Sequence, residues 1–113
     1  MNKTGPLVFK FGGTSVASPP AITAVVKIVA AEHGERLVVV SATAGTTDAL
    51  LQASQQAAGG DAMAAQATIE RLSEQHRNLI ADLLGVNGAD VLGEVVDLTE
   101  RTIALLRLSL IHI

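Results

Sequence analysis

The sequence predicts an α/β fold that begins with a parallel strand–helix–strand unit. Two short apolar segments, residues 7–11 and residues 37–40, have the composition of buried strands. Apolar residues recur at helical spacing between them, after the helix-start sequence Ser18-Pro19-Pro20. Strand, helix and strand within about 35 residues indicate a βαβ unit with a right-handed crossover.

Most of the chain beyond the second strand is expected to be helical. Residues 46–58, 62–84 and 89–107 are expected to form helices, and residues 62–84 carry an apolar stripe at helical period. Gly59-Gly60 separates the first two, and Asp61 can cap the second. Residues 85–88 read as a loop, so the last two helices are expected to pair as a hairpin.

Composition restricts the classes of protein that this chain can represent. It has 113 residues, enough for one small domain, and 49% are hydrophobic but only 2% aromatic, so the core must be aliphatic. The net charge of −3 argues against general nucleic-acid or membrane-surface binding. Cysteine is absent, which excludes disulfides and thiolate metal sites. No signal peptide or membrane span is visible, and we expect a cytoplasmic protein.

The strongest functional signal follows the first strand, in the sequence Lys10-Phe11-Gly12-Gly13-Thr14-Ser15. A strand would hold Lys10 at the carboxyl end of a sheet, where ligands bind in open α/β folds. The two glycines let the backbone approach a bulky anion with its N–H groups exposed. Lys10 adds a positive charge, and Thr14 and Ser15 add hydroxyls. The sequence therefore predicts a phosphate site at this turn.

Other chemistries have little support in the sequence. There is no Gly-x-x-x-x-Gly-Lys-Ser/Thr and no Gly-x-Gly-x-x-Gly, so neither a Walker-type nor a dinucleotide site is indicated. The three histidines have no zinc-site spacing, and we expect His76 to lie on a solvated helix face. We assign no metal ligand to the chain.

The motif also carries a resemblance. Lys10 to Val16 resembles the sequence that opens aspartokinases, members of the amino acid kinase family. Residues 36–48 are similar to the second strand of that family and to the loop that follows it. The resemblance is close over residues 5–52 and only general, in helical character, from there to Arg107.

The resemblance implies a fold, an activity and roles for particular residues. The fold would be the N-terminal part of a three-layer α/β/α sandwich with parallel strands, followed by inserted helices. The activity would be transfer of the γ-phosphoryl group of ATP, with Mg²⁺, to the β-carboxylate of L-aspartate, on the path to lysine, threonine and methionine. Lys10 would contact the moving phosphate within a nucleotide-binding turn, residues 10–15. Ser41 and Thr47 would bind aspartate, and the whole enzyme would be a homo-oligomer.

Two features suggest that the chain is an N-terminal piece of such an enzyme, inactive alone. The later glutamate, arginine and aspartate of aspartokinases have no counterpart in it. Residues 108–113 resemble one reading frame of a transposon-end adapter used in sequencing libraries. We therefore expect residues 1–107 to be part of a kinase domain and residues 108–113 to be a non-native tail; a genuine apolar helix end or short strand is the alternative.

Two rival functions remain open at this point. The chain can belong to another amino acid kinase, acting on glutamate, acetylglutamate or a nucleoside monophosphate. It can also be a non-catalytic module that binds an anion or a protein partner.

Overall fold

The computed structural model describes residues 5–111, with side chains through Leu108, and divides into two compact units. The first unit ends at Ala44 and the second begins at Gly45. The first contains β1 (Leu7–Phe11), a 3₁₀ turn (Gly13–Val16), α1 (Pro19–Ala30) and β2 (Arg36–Val40). The second contains α2 (Thr46–Ala58), α3 (Ala62–Leu84), a 3₁₀ turn (Gly85–Gly88) and α4 (Ala89–Ile111).

The two strands pair in parallel, as the sequence predicts. The register runs from Leu7 opposite Arg36 to Phe11 opposite Val40. One further hydrogen bond, from the Ser41 amide to the Phe11 carbonyl at 3.0 Å, continues the ladder past β2. The α/β class and the βαβ unit are therefore confirmed, and the carboxyl ends of both strands meet at one edge.

The expectation that β2 is buried is wrong for the described chain. All five of its residues are exposed, and Leu37 and Val40 each keep 55% of their surface accessible. A strand that is apolar on both faces needs neighbouring strands and a helical layer on each face to cover it. The two strands described here are too few to provide that cover.

Helix α1 begins as predicted but ends earlier. Ser18 is its N-cap and accepts a hydrogen bond from the Ala21 amide at 3.3 Å. Gly34 is the first glycine after the apolar helical pattern and is expected to stop the helix, whereas the helix ends at Ala30. Gly34 instead forms the turn into β2, with φ of 92°, a backbone conformation that favours glycine.

Arg36 closes the carboxyl end of α1, a role that the sequence did not indicate. Its guanidinium donates to the Val29 carbonyl at 2.7 Å and to the Glu32 carbonyl at 3.0 Å. Carbonyls at a helix end lack partners within the helix, and a cation there also complements the helix dipole. One side chain at the start of β2 thus ties the helix to the sheet.

The helix boundaries of the second unit match the predicted ones closely. Helix α2 ends at Ala58 with Gly59 as its C-cap, and Gly60 has φ of 87°, so the glycine pair breaks the helix as expected. Asp61 caps α3 by accepting from the Ala64 amide at 3.0 Å. The helix-breaking glycines and the capping aspartate therefore locate the boundary between the first two helices of this unit.

Small residues let α2 and α3 pack closely. Ala53, Ala57 and Ala65 are at most 1% exposed. The buried Thr68 hydroxyl donates to the Gln56 side-chain oxygen of α2 at 2.7 Å. Close backbone approach and a satisfied polar contact together define this seam.

Helices α3 and α4 form the predicted hairpin. The Ser73 and Thr99 hydroxyls are hydrogen-bonded at 2.8 Å, and Ser73 is only 4% exposed. Farther along the same pair, Arg107 donates to Gln66 at 2.7 Å. Antiparallel pairing is the arrangement that brings both pairs together.

Helix α4 continues to Ile111, beyond the predicted end at Arg107. The assignment of residues 108–113 as a non-native tail stays a prediction, and its last two residues lie outside the described part of the chain. Within that part, no helix combines the length and the apolar character needed to cross a membrane.

We predict that Ala53→Leu will destabilise the protein by about 2 kcal/mol, because a larger side chain must be forced into a site with no exposed surface. Ala58→Leu is the matched control, since Ala58 is on the same helix but exposed. Urea unfolding followed by circular dichroism measures both. Equal unfolding midpoints for the two variants would contradict close packing between α2 and α3.

Candidate functional site

Lys10 lies near the carboxyl end of β1 and is exposed. Side chains alternate along the strand, so Lys10 shares a face with Val8, and Phe9 and Phe11 share the other. The two phenyl rings stack with centroids 6.0 Å apart. Among the described residues, the Lys10 ammonium makes no hydrogen bond or ion pair, so its charge is available to a ligand.

The turn after β1 presents backbone donors beside that lysine. Gly12 is extended, with φ of −80°, and its carbonyl accepts from the Ser15 amide at 3.0 Å. Within the described chain, the amides of Gly13 and Thr14 have no hydrogen-bond partner. The Thr14 side chain is exposed and that of Ser15 is half-buried. Two amides and an exposed hydroxyl can therefore meet an anion here.

The second loop approaches the first at this edge of the sheet. A Cβ placed on Gly13 would lie 3.5 Å from the Ser41 hydroxyl oxygen, an ordinary van der Waals distance. The Ser41 hydroxyl donates to the Ala42 carbonyl at 2.7 Å. It must rotate away from that carbonyl before it can donate to a substrate carboxylate.

Thr47 belongs to the second unit, in the first turn of α2, and is exposed. Gly45 is the N-cap with φ of 83° and supplies no capping side chain. Asp48 stands in the same first turn, where its charge complements the helix dipole. The first unit brings residues 10–15 together with Ser41, whereas the juxtaposition of Thr47 with them stays a prediction.

The second unit has a groove that the sequence did not reveal. It encloses about 280 Å³ and is mainly apolar. Leu50 of α2, Leu98 of α4 and Ile69 of α3 are among its lining residues. His76 also lines it, half-buried and hydrogen-bonded through Nδ1 to the Leu72 carbonyl at 2.8 Å. The expectation that His76 lies on a solvated face is therefore wrong.

Metal binding by the protein itself has no structural support in residues 5–111. No group of three or more histidine, aspartate or glutamate side chains there could hold an ion.

Fold and site together define a class of protein. A parallel strand pair collects a lysine, two amides and hydroxyls at its carboxyl edge, which is where α/β proteins bind anionic ligands. The comparison with known families agrees, since the amino acid kinase family model matches residues 5–108. The chain belongs to the amino acid kinase family.

Two curated relatives are aspartokinases by name. One, from Haemophilus influenzae, is named "Putative inactive aspartokinase 3" and is 57% identical over 44 residues, which are 39% of this chain and 36% of the relative. The other, the aspartokinase of Chlamydia trachomatis, is 40% identical over 81 residues, which are 72% of this chain and 18% of the relative. The matches thus span well under half of either relative.

We predict that Gly13→Ala will leave the stability of the fold unchanged, because the added Cβ makes only an ordinary contact and φ at Gly13 is not positive. Gly45→Ala is the comparison variant and should cost about 1 kcal/mol, since its φ is 83°. Thermal unfolding measures both. A large loss with Gly13→Ala would mean that the glycine serves the fold rather than access of a ligand.

Proposed function

We propose that the protein from which this chain derives is an aspartate kinase, which transfers the γ-phosphoryl group of ATP to the β-carboxylate of L-aspartate. Membership of the amino acid kinase family supports phosphoryl transfer. Similarity to the Chlamydia aspartokinase supports aspartate as the acceptor. The observation that carries the proposal is the available ammonium of Lys10 beside two unpartnered amides at the sheet edge.

Phosphoryl transfer depends mainly on positioning and charge. The moving phosphoryl group carries negative charge on its equatorial oxygens, and the attacking and leaving oxygens must be nearly in line. Lys10 would neutralise part of that charge from a fixed point on β1. The Gly13 and Thr14 amides would donate hydrogen bonds to the same group, at no cost in reorganisation because the turn already presents them.

The acceptor would bind at the second loop. The Ser41 hydroxyl lies at the shared edge and can donate to a carboxylate after it leaves the Ala42 carbonyl. Thr47 would donate from the start of α2, where the helix dipole favours an anion. The negative charge of Asp48 in that turn opposes part of the effect, so hydroxyl contacts would matter more than the dipole.

The 113-residue chain would supply only part of this site. We expect ATP to enter as its Mg²⁺ complex and most of the nucleotide to bind chain that lies beyond these residues in the longer relatives. We therefore propose that the chain alone does not turn over. The whole enzyme would act in the cytoplasm as a homo-oligomer, in the synthesis of lysine, threonine and methionine.

The test is a chimera that joins residues 1–107 to the remainder of the Chlamydia aspartokinase. We expect the chimera to form aspartyl phosphate, trapped as the hydroxamate, and Lys10→Ala to lower kcat at least about 100-fold. Lys27→Ala is the matched control, an exposed lysine of the same unit. Full activity of the Lys10→Ala chimera, with an active parent, would refute the role of Lys10.

Ser41→Ala and Thr47→Ala in the same chimera should each raise KM for aspartate about tenfold and leave KM for ATP unchanged, because each removes one hydroxyl donor to the acceptor. Thr102→Val is the control, since its hydroxyl bonds within α4 to the Leu98 carbonyl at 2.8 Å. Steady-state kinetics with each substrate varied separates the two effects. A selective rise in KM for ATP would place these hydroxyls on the nucleotide side.

A non-catalytic role has one specific observation in its favour. The name of the Haemophilus relative contains the words "Putative inactive", and that relative is itself short, since 44 residues are 36% of its length. Calorimetric titration of the 113-residue chain with inorganic pyrophosphate would detect anion binding without catalysis. Binding abolished by Lys10→Ala, together with an inactive chimera, would favour an anion-binding module over a kinase.

A further inference from the structure

Helix α4 carries a largely exposed apolar stripe, and its central residue, Leu98, also lines the rim of the groove described above. Val91, Leu98 and Leu105 repeat every seven residues and are 41%, 57% and 65% exposed. A seven-residue repeat drifts only about 20° per step around a helix, so the three side chains form a nearly straight row about 21 Å long. We name these residues the α4 stripe.

Two opposite charges lie beside the α4 stripe. Glu94 follows Val91 by three residues, and Arg101 follows Leu98 by three residues, so both occupy the same position relative to the stripe. Both are exposed, and Arg101 has its own weak contact to Asp97 at 3.7 Å. The glutamate precedes Leu98 and the arginine follows it, at nearly equal distances along the helix.

This pattern is complementary to itself under a two-fold rotation. If a second α4 runs antiparallel and crosses at Leu98, Leu98 meets its own equivalent and Val91 lies opposite Leu105 of the second copy. The same rotation brings Glu94 beside Arg101 of the second copy, twice. A two-fold interface requires this kind of self-complementary patch, and opposite charges at its margin set register and direction.

We propose that the α4 stripe is a homodimer interface, in which two copies of this chain pair antiparallel through α4 about Leu98. The charges indicate that the partner is a second copy of this chain. An unrelated apolar partner would not need a glutamate and an arginine placed symmetrically about Leu98. A single helix pair buries less surface than a standard protein interface, so the dimer is weak and depends on concentration.

The first test is sedimentation velocity of the 113-residue chain over roughly 1–200 µM, the range suited to a small interface. We expect a concentration-dependent shift from monomer to dimer. Glu94→Arg or Arg101→Glu alone should weaken the dimer about tenfold or more, because each puts like charges together twice. The double variant E94R/R101E should restore wild-type affinity, because it exchanges the charges and keeps them complementary.

Glu100→Arg is the matched control. It makes the same charge change as Glu94→Arg, but at an exposed position of α4 that lies about 200° around the helix from Leu98. Circular dichroism checks that each variant keeps its helix content. A chain that stays monomeric throughout, or association that ignores both single reversals, would overturn the proposal; the second result would point to the exposed β2 instead.

A cross-link gives an independent measurement. The chain has no cysteine, so Leu98→Cys introduces a single thiol. Mild oxidation should link two copies through that thiol, because the residue meets its own equivalent on the two-fold axis. Ala104→Cys, an exposed position off the stripe, should form far less cross-linked dimer. Equal cross-linking of the two variants would contradict the proposed axis.

Discussion

The register of the ladder between β1 and β2 determines where every candidate ligand group of the first unit lies. Phe11 is opposite Val40, so the turn at Gly12 and the loop at Ser41 leave the sheet at the same edge. A shift of one residue would reverse the face of each side chain along the shifted strand. Lys10 and the Ser41 hydroxyl would then no longer stand at their present positions. The hydrogen bond from the Ser41 amide to the Phe11 carbonyl extends the register into the loop itself.

A different device holds the second unit together. Its core has few large side chains: the most buried residues are Ala53, Ala57 and Ala65, followed by Ile69 and the polar Thr68 and Ser73. Alanine packing brings helices close but specifies axial alignment weakly, because small side chains interlock little. The two buried hydroxyls supply what alanine lacks. Thr68 bonds to α2 and Ser73 to α4, so α3 is tied to each neighbour at one defined height, and a slip of either helix would break the hydrogen bond to that neighbour.

The sequence predicted the elements well and their surroundings less well. Glycine pairs, Asp61 and Ser18 act locally, so the ends of α2 and the starts of α1 and α3 could be read from the chain alone. The burial of β2 could not be predicted in this way. It depends on neighbouring strands and helices, which the residue pattern within one strand does not specify. The Arg36 contact and the half-buried His76 have the same origin, since each depends on how segments meet. For the site, residues 10–15 and Ser41 meet because parallel pairing follows from the βαβ pattern. The contribution of Thr47 depends on the arrangement of two units and cannot be read from either strand.

Two apolar surfaces of the chain are exposed, one on β2 and the other the α4 stripe, and they differ in their ability to direct specific association. Residues 37–40 of β2 contain no charged side chain, and Arg36 at the start of the strand is engaged with α1. An apolar strand segment without charged side chains of its own pairs with many partners in several registers, because backbone hydrogen bonds and aliphatic contacts do not distinguish them. Helix α4 differs, because the opposite charges of Glu94 and Arg101 lie beside its apolar stripe at defined positions. Wrong registers there place like charges together or leave them beside apolar groups, and each costs free energy that the symmetric register avoids. A single defined complex is therefore physically attainable on α4, whereas β2 exposed in the same way favours heterogeneous association.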